Sequence, residues 1–142
     1  MIEYTPTITH AVPPQFLYGI ADLGEAQPTY YEAYTPNPLA AKEPKELLEM
    51  LWVVCNVDAP EDLPGHLAGL AEDTRQYRAL GNRSLSVGDV VILTPVQGGH
   101  ASAWICAPVG WERMARVPEP VPTPSGATWS AARSAHDALR RG

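Results

Sequence analysis

The chain runs Gly-Asn-Arg-Ser-Leu-Ser-Val-Gly-Asp-Val-Val-Ile-Leu from residue 81 to residue 93. Glycine often ends a helix, because it adopts the left-handed conformation without a steric penalty. The Gly88-Asp89 pair is typical of a tight turn, and the β-branched and apolar run after it is typical of a buried strand. These residues therefore predict a helix end, a turn and a strand in direct succession.

Two segments before this stretch have the pattern of helices. Residues 44–55 begin with proline, which suits a first helical turn, and apolar side chains recur at three- and four-residue spacing from Leu47 to Cys55. Asn56 is expected to end this helix in the left-handed conformation. Residues 67–80 repeat apolar side chains at a similar spacing and predict a second helix that stops at Gly81.

Strands are predicted on both sides of the helices. Residues 2–9 alternate apolar and polar side chains, and Pro6 places this strand at an edge because proline lacks a ladder donor. Residues 29–34 predict another strand, with Tyr30 and Tyr34 on the same face. Residues 16–20 fit either a short strand or a turn of helix.

The chain after residue 90 has the pattern of consecutive antiparallel strands. Residues 90–94 and 101–107 flank a glycine-containing loop and predict a β-hairpin. Residues 108–114 predict a turn and a last short strand. The loop's Gly98-Gly99-His100 leads into a strand and not into a helix, so it lacks the context of a phosphate-binding loop.

The composition changes after Arg116. Prolines alternate with other residues from Pro118 to Pro124, which predicts a stiff extended linker. An alanine-rich segment around Trp129 fits a short helix whose apolar stripe is too narrow to fold alone; it docks on the domain, binds a partner or stays disordered. The predicted organisation is one α+β domain at residues 1–116, with a small curved antiparallel sheet against one or two helices, and a flexible proline-rich tail at residues 117–142.

Composition and charge restrict the class of protein. The 142 residues fit a single domain, and the sequence has neither an apolar run of membrane-spanning length nor the pattern of a signal peptide at its N-terminus, so a cytoplasmic location is the default expectation. Residues 1–74 contain twelve acids against two lysines, whereas residues 75–142 contain eight arginines against four acids. The acidic half opposes binding to nucleic acid, although the arginine-containing half leaves that alternative open.

No pattern in the sequence indicates catalysis. The chain has no Gly-x-Ser-x-Gly motif, and its histidines and its two cysteines lack the close spacing of a zinc site. Cys55 and Cys106 lie in apolar runs, which favours buried reduced thiols and leaves a disulfide open. We therefore expect no catalytic residue, no metal, no cofactor and no small-molecule ligand.

The remaining distinctive residues favour contact with another protein. Arg83 is expected to bond exposed carbonyls or to pair with Asp89, since its planar fork suits both tasks. Trp104 and Trp111 lie on the last predicted strands and are expected in the core, with the centre of a contact surface as the alternative for Trp111. Trp129 marks the apolar stripe of the tail. The expected function is a non-enzymatic protein-interaction module with Arg83, Asp89, Trp111 and Trp129 as interaction candidates. The alternative is a nucleic-acid-associated small β-barrel, because a strand that opens with Val-Gly-Asp-Val-Val is similar to those of small RNA- and DNA-binding barrels.

Several of these motifs occur together in one known family. The spaced Asn56-x-Asp58-x-Pro60-x-Asp62, the run at residues 82–91, Cys106 and Gly110-Trp111-Glu112 resemble the YodL-like domain family over about residues 45–114. The family has no established reaction, and its domains occur in small bacterial proteins and in large polyvalent proteins of phages, plasmids and integrative elements. The resemblance implies an accessory or interaction module of a mobile genetic element and no catalytic residue.

Overall fold

The computed structural model of this chain describes residues 1–12 and 28–122. In chain order these residues form β1 (Ile2–Val12), β2 (Thr29–Tyr34), β3 (Leu39–Ala41), α1 (Pro44–Asn56), two 3-10 helices (Pro60–Asp62 and Gly65–Leu70), α2 (Ala71–Ala79), β4 (Val90–Pro95), β5 (Ser102–Cys106) and β6 (Trp111–Arg113). The predicted α+β class is confirmed. The predictions for residues 16–20 and for the helix around Trp129 lie outside the described residues.

All six strands belong to one antiparallel sheet. Its order is β2-β1-β4-β5-β6, and β3 also pairs with β1. The predicted hairpin is confirmed, since β4 pairs with β5 from Val90 opposite Ile105 to Leu93 opposite Ser102. Among the helices of the described ranges, none combines the length and the hydropathy needed to cross a bilayer.

The helices cover one face of the sheet. Because strand side chains alternate between faces, Val91 and Leu93 join the main core beneath α1 and α2, whereas Val90 and Ile92 point to the other side. The main core contains Tyr4, Ile8, Leu47, Leu48, Leu51, Tyr77, Leu85 and Trp104, among others. The second face has a smaller cluster of Val90, Ile92 and Ala103, with Met114 among the partly buried residues packed against it. We call this second face the back face.

The prediction that Pro6 places β1 at an edge is wrong. The carbonyl of Glu3 accepts the Val96 amide at 2.9 Å, so odd-numbered residues of β1 direct their backbone groups toward β4 and even-numbered residues direct theirs to the opposite side. On that side, pairing with β3 ends at Tyr4 and pairing with β2 starts at Ile8. The missing donor of Pro6 therefore falls in an interval without a ladder, and the strand is internal.

Two local predictions are also corrected. Asn56 stays helical and the next residue, Val57, has φ −73°, so no left-handed residue ends α1. Residues 67–80 divide into a 3-10 segment and the nine-residue helix α2. The predicted stop at Gly81 is confirmed by its φ of +80°.

The predicted common face of Tyr30 and Tyr34 is wrong as well. Ile8 pairs with Tyr34 and Thr9 pairs with Glu32, so Ala33 is an extra residue in β2. A bulge of this kind shifts the alternation by one residue. Tyr34 consequently packs on the main core, whereas Tyr30 packs on the back face.

Candidate functional site

Asp89 lies at the point where the sequence motif joins the sheet. Gly88, with φ +91°, and a bond from the Asp89 amide to the Ser86 carbonyl at 3.0 Å form the turn that precedes β4. The Asp89 carboxylate then accepts the amides of Ser86 at 2.8 Å and Ala11 at 2.9 Å. One buried side chain thus connects the turn to the end of β1.

Arg83 closes this arrangement with a two-pronged ion pair. Its Nη1 and Nη2 donate to Oδ2 and Oδ1 of Asp89 at 2.6 and 2.7 Å, and Nη1 also donates to the Ser84 carbonyl at 2.9 Å. The exposed fractions of the two side chains are 16% for Arg83 and 1% for Asp89. Burial raises the pKa of Asp89, and the Arg83 guanidinium and the two amide donors oppose that rise. Both contacts expected of Arg83 are present.

A second buried polar pair lies beside the first. The Tyr77 hydroxyl donates to the Arg83 carbonyl, and His10 Nε2 lies 2.8 Å from the same hydroxyl oxygen. The Tyr77 hydroxyl has one hydrogen, and it is donated to the Arg83 carbonyl. We therefore assign the hydrogen of the His10 contact to Nε2, which donates to the Tyr77 hydroxyl oxygen. Burial lowers the pKa of His10 well below its ordinary value, and the nearby positive charges of Arg83 and Arg78 lower it further. At neutral pH this pair is therefore uncharged.

Other polar side chains in and around residues 81–93 bind neighbouring segments of the chain. Arg78 donates to the Val57 carbonyl at 3.1 and 3.2 Å and to the Ser84 hydroxyl at 3.0 Å. Asn82 donates to the Ala33 carbonyl at 2.9 Å, and Asn56 accepts the Leu85 amide at 2.8 Å. These side chains hold the segment before β4 against α1, α2 and β2.

Of the four interaction candidates, the structure brings Arg83 and Asp89 together and places Trp111 in the main core. The Trp111 ring meets Trp52 edge to face, with centroids 6.4 Å apart, and is 7% exposed. A cleft of about 190 Å³ opens beside these two rings, with Glu49 and Pro108 among its lining residues. Trp129 lies outside the described residues.

In the described ranges, the metal-ligating side chains are dispersed and the two cysteines are buried. No cluster of three or more histidine, cysteine or acidic side chains fit to hold a metal ion occurs in residues 1–12 and 28–122. Cys55 and Cys106 are free and buried, and burial raises the pKa of both thiols, that of Cys106 to about 11. Thiols of this kind stay protonated and react slowly.

The five arginines between residues 75 and 122, the part of this half that the structure describes, do not form one surface. Arg75 pairs with Glu72 on α2, whereas Arg78 and Arg83 bond inward. Arg113, on β6, lies over the ring of Trp104, 5.9 Å from its centroid. Arg116 borders a cleft near Tyr30. A nucleic-acid interface needs such charges on one contiguous face.

The outer edge of β2 holds a contact that the sequence did not reveal. Val121 pairs in parallel with Tyr31, donating its amide to the Tyr30 carbonyl and accepting the Glu32 amide, both at 2.8 Å. We name residues 117–122 the strap. The sequence predicts a linker from residue 117, and its proline alternation was the available signal for an edge segment.

The fold and the site together define an α+β protein with a six-stranded antiparallel sheet, a buried polar network and a sheet edge occupied by its own chain. Comparison with family models, with curated proteins and with solved structures finds no match to this chain.

Proposed function

We propose that this protein is a non-enzymatic protein-interaction module that receives an extended segment along the outer edge of β2. The observation that supports it is the Val121 contact, in which both backbone groups of an extended segment bond to this edge. Addition of a strand to a sheet edge is a common mode of peptide recognition, because the edge offers unpaired backbone donors and acceptors.

The buried polar network supports a scaffold role for the motif residues. Asp89 is buried, and its carboxylate accepts hydrogen bonds from Arg83 and from two backbone amides. His10 and Tyr77, at 1% and 0% exposure, bond to one another. A partner therefore meets the edges and the outer surfaces of the sheet, which these groups hold in place.

Charge favours a protein partner over a nucleic acid. The net charge of the chain is −6, and the arginines of the described residues are distributed over α2, the segment before β4, β6 and the segment before the strap. The resemblance to YodL-like domains adds the expectation of an accessory role encoded on a bacterial phage, plasmid or integrative element. Two free buried thiols fit a reducing, cytoplasmic location.

Site-specific photo-crosslinking in the native host tests this function. A crosslinking amino acid replaces Thr29, an exposed residue at the start of β2, and Arg75 on the exposed side of α2 serves as the matched control position. We expect a protein adduct at position 29 that is absent at position 75, maps to an extended segment of the partner and is competed by a peptide of the strap sequence. Equal adducts at both positions, no adduct, or adducts to nucleic acid would refute the proposal.

A further inference from the structure

The strap joins the two sides of the sheet across its back face. After β6 at one edge, the Met114 amide bonds to the Ala103 carbonyl at 2.8 Å and its side chain packs on the back-face cluster. Val121 then pairs with β2 at the opposite edge. The chain between these two anchors borders Ala103 on one side and Tyr30 on the other.

The prolines give the strap backbone donors on one side only. In an extended chain, amides two residues apart point in the same direction. Pro118, Pro120 and Pro122 have no amide hydrogen, so the donors of this stretch belong to Glu119 and Val121. Val121 directs its amide donor at β2. The positions that face the outer side of the strap are prolines, so this side has no amide hydrogen for a further strand. The strap therefore ends the sheet, as prolines on edge strands do.

The strap is seated loosely. Two backbone hydrogen bonds join it to β2, and the side chains of Val117 and Val121 remain 44% and 40% exposed. Clefts of about 450 Å³ and about 420 Å³ border it near Ala103 and near Tyr30. The back-face residues Val90 and Ile92 are themselves buried, at 0% and 5% exposure.

We propose that the strap is a displaceable ligand of its own domain, and that the β2 edge binds a partner segment with the same chemistry: extended, with proline at alternate positions and a β-branched donor between two prolines. The inference rests on the proposed function and names its ligand class. In cis, the strap has the millimolar effective concentration of a short tether, so it excludes a peptide supplied at micromolar concentration. A partner gains access when the strap leaves the edge. The apparent affinity of the domain for the partner is therefore the intrinsic affinity multiplied by the fraction of chains whose strap is open.

Peptide binding in trans tests the inference. The probe is a fluorescent peptide of residues 115–124. Its binding is compared between the unmodified full chain and a full chain with Val121→Pro, which removes the donor to Tyr30 while keeping the strap extended. We expect this chain to bind the peptide on the order of tenfold more tightly than the unmodified chain does. The same peptide with Val121→Pro is expected not to bind. Glu119→Pro, at a residue with no backbone bond to β2, is the control and is expected to behave as the unmodified chain.

Hydrogen exchange on the unmodified chain gives a readout that needs no variant. The Glu32 amide bonds to Val121, so strap opening exposes it, and we expect it to exchange faster than the amides of β4. Equal peptide affinity for the unmodified and Val121→Pro chains, or Glu32 protection equal to that of β4, would overturn the inference. Peptide binding without a host adduct at position 29 would refute the interaction role alone and leave the displaceable strap standing.

Discussion

Arg83 and Asp89, six positions apart in the sequence, form a parallel two-bond ion pair, with Nη1 to Oδ2 at 2.6 Å and Nη2 to Oδ1 at 2.7 Å. Asp89 also accepts the Ala11 amide, so the pair connects the segment before β4 to β1. Planar guanidinium and carboxylate groups fit one another in this geometry, which makes such bonds stronger than neutral ones. The carboxylate therefore adds a side-chain connection between β1 and the start of β4 to the backbone ladder that joins these strands.

Removal of that carboxylate should destabilise the protein strongly. Asp89→Ala removes, in a buried site, the carboxylate that accepts two bonds from Arg83 and one each from the amides of Ala11 and Ser86. We expect the free energy of unfolding to fall by about 3 kcal/mol, as when one partner of a buried ion pair is lost. Urea denaturation followed by tryptophan fluorescence measures the change.

The exposed ion pair of α2 provides the comparison. Arg75 and Glu72 pair with exposed fractions of 59% and 61%, so water screens their attraction. Glu72→Ala is expected to change the free energy of unfolding by no more than about 0.5 kcal/mol. Similar losses for the two substitutions would show that Asp89 has no special structural role.

Local signals were enough to predict much of this fold. The start of α1 at Pro44, the stop at Gly81 and the β4–β5 hairpin each depend on residues close together in sequence. Three local effects act here: proline at a first turn, glycine at positive φ and β-branched runs. Each acts within a few residues, so the local sequence is enough to predict the element that it causes. The Arg83–Asp89 pair was accessible for the same reason, since only six positions separate its members.

Several of the failures involve partners distant in sequence. Pro6 is internal because β2 and β3 leave an interval beside it, and no local pattern contains that interval. The bulge at Ala33 depends on pairing with β1, and the strap depends on the position of β2. His10 gains its role only because Tyr77 folds against it, 67 positions away. Such pairings are decided by tertiary packing, which overrides local preference.

The stability of the protein should fall as the pH is lowered, through His10. Burial holds the pKa of His10 well below its ordinary value in the folded chain, so between that pKa and about 6.5 the unfolded chain binds a proton that the folded chain does not. The stabilisation is complete above about pH 6.5 and is lost toward acid, by up to about 1.4 kcal/mol per pH unit.

The matched variant for this effect is His10→Gln, whose amide can still donate to the Tyr77 hydroxyl. We expect the difference in free energy of unfolding between the native chain and His10→Gln to shrink or reverse from about pH 7 to about pH 5, because only the native chain has the titrating ring. Chemical denaturation across this range measures the difference. A constant difference would mean that His10 does not titrate as its burial requires.

Both thiols should be silent in the native state. Cys55 and Cys106 are 0% and 4% exposed, and burial raises the pKa of each, so little thiolate is available at pH 8. We expect a chromogenic disulfide reagent to react slowly with the folded chain and with two thiols per chain in denaturant. Fewer than two thiols in denaturant would contradict the free cysteines of the structure.

Substitution by alanine should destabilise the protein more at Gly110 than at Gly69, although both glycines have open space around them. A Cβ built at Gly110 or at Gly69 meets nothing within 4 Å, but Gly110 has φ +73°, in the turn closed by the Ala107 amide and the Gly110 carbonyl at 3.0 Å. Because a side chain in the left-handed region crowds its own backbone, Gly110→Ala should lower the free energy of unfolding by about 1 kcal/mol. Gly69→Ala should be neutral or stabilising by up to about 1 kcal/mol, since it restricts the unfolded chain without strain. Thermal denaturation of both variants separates backbone strain from packing, and equal shifts would leave positive φ without an energetic role in this turn.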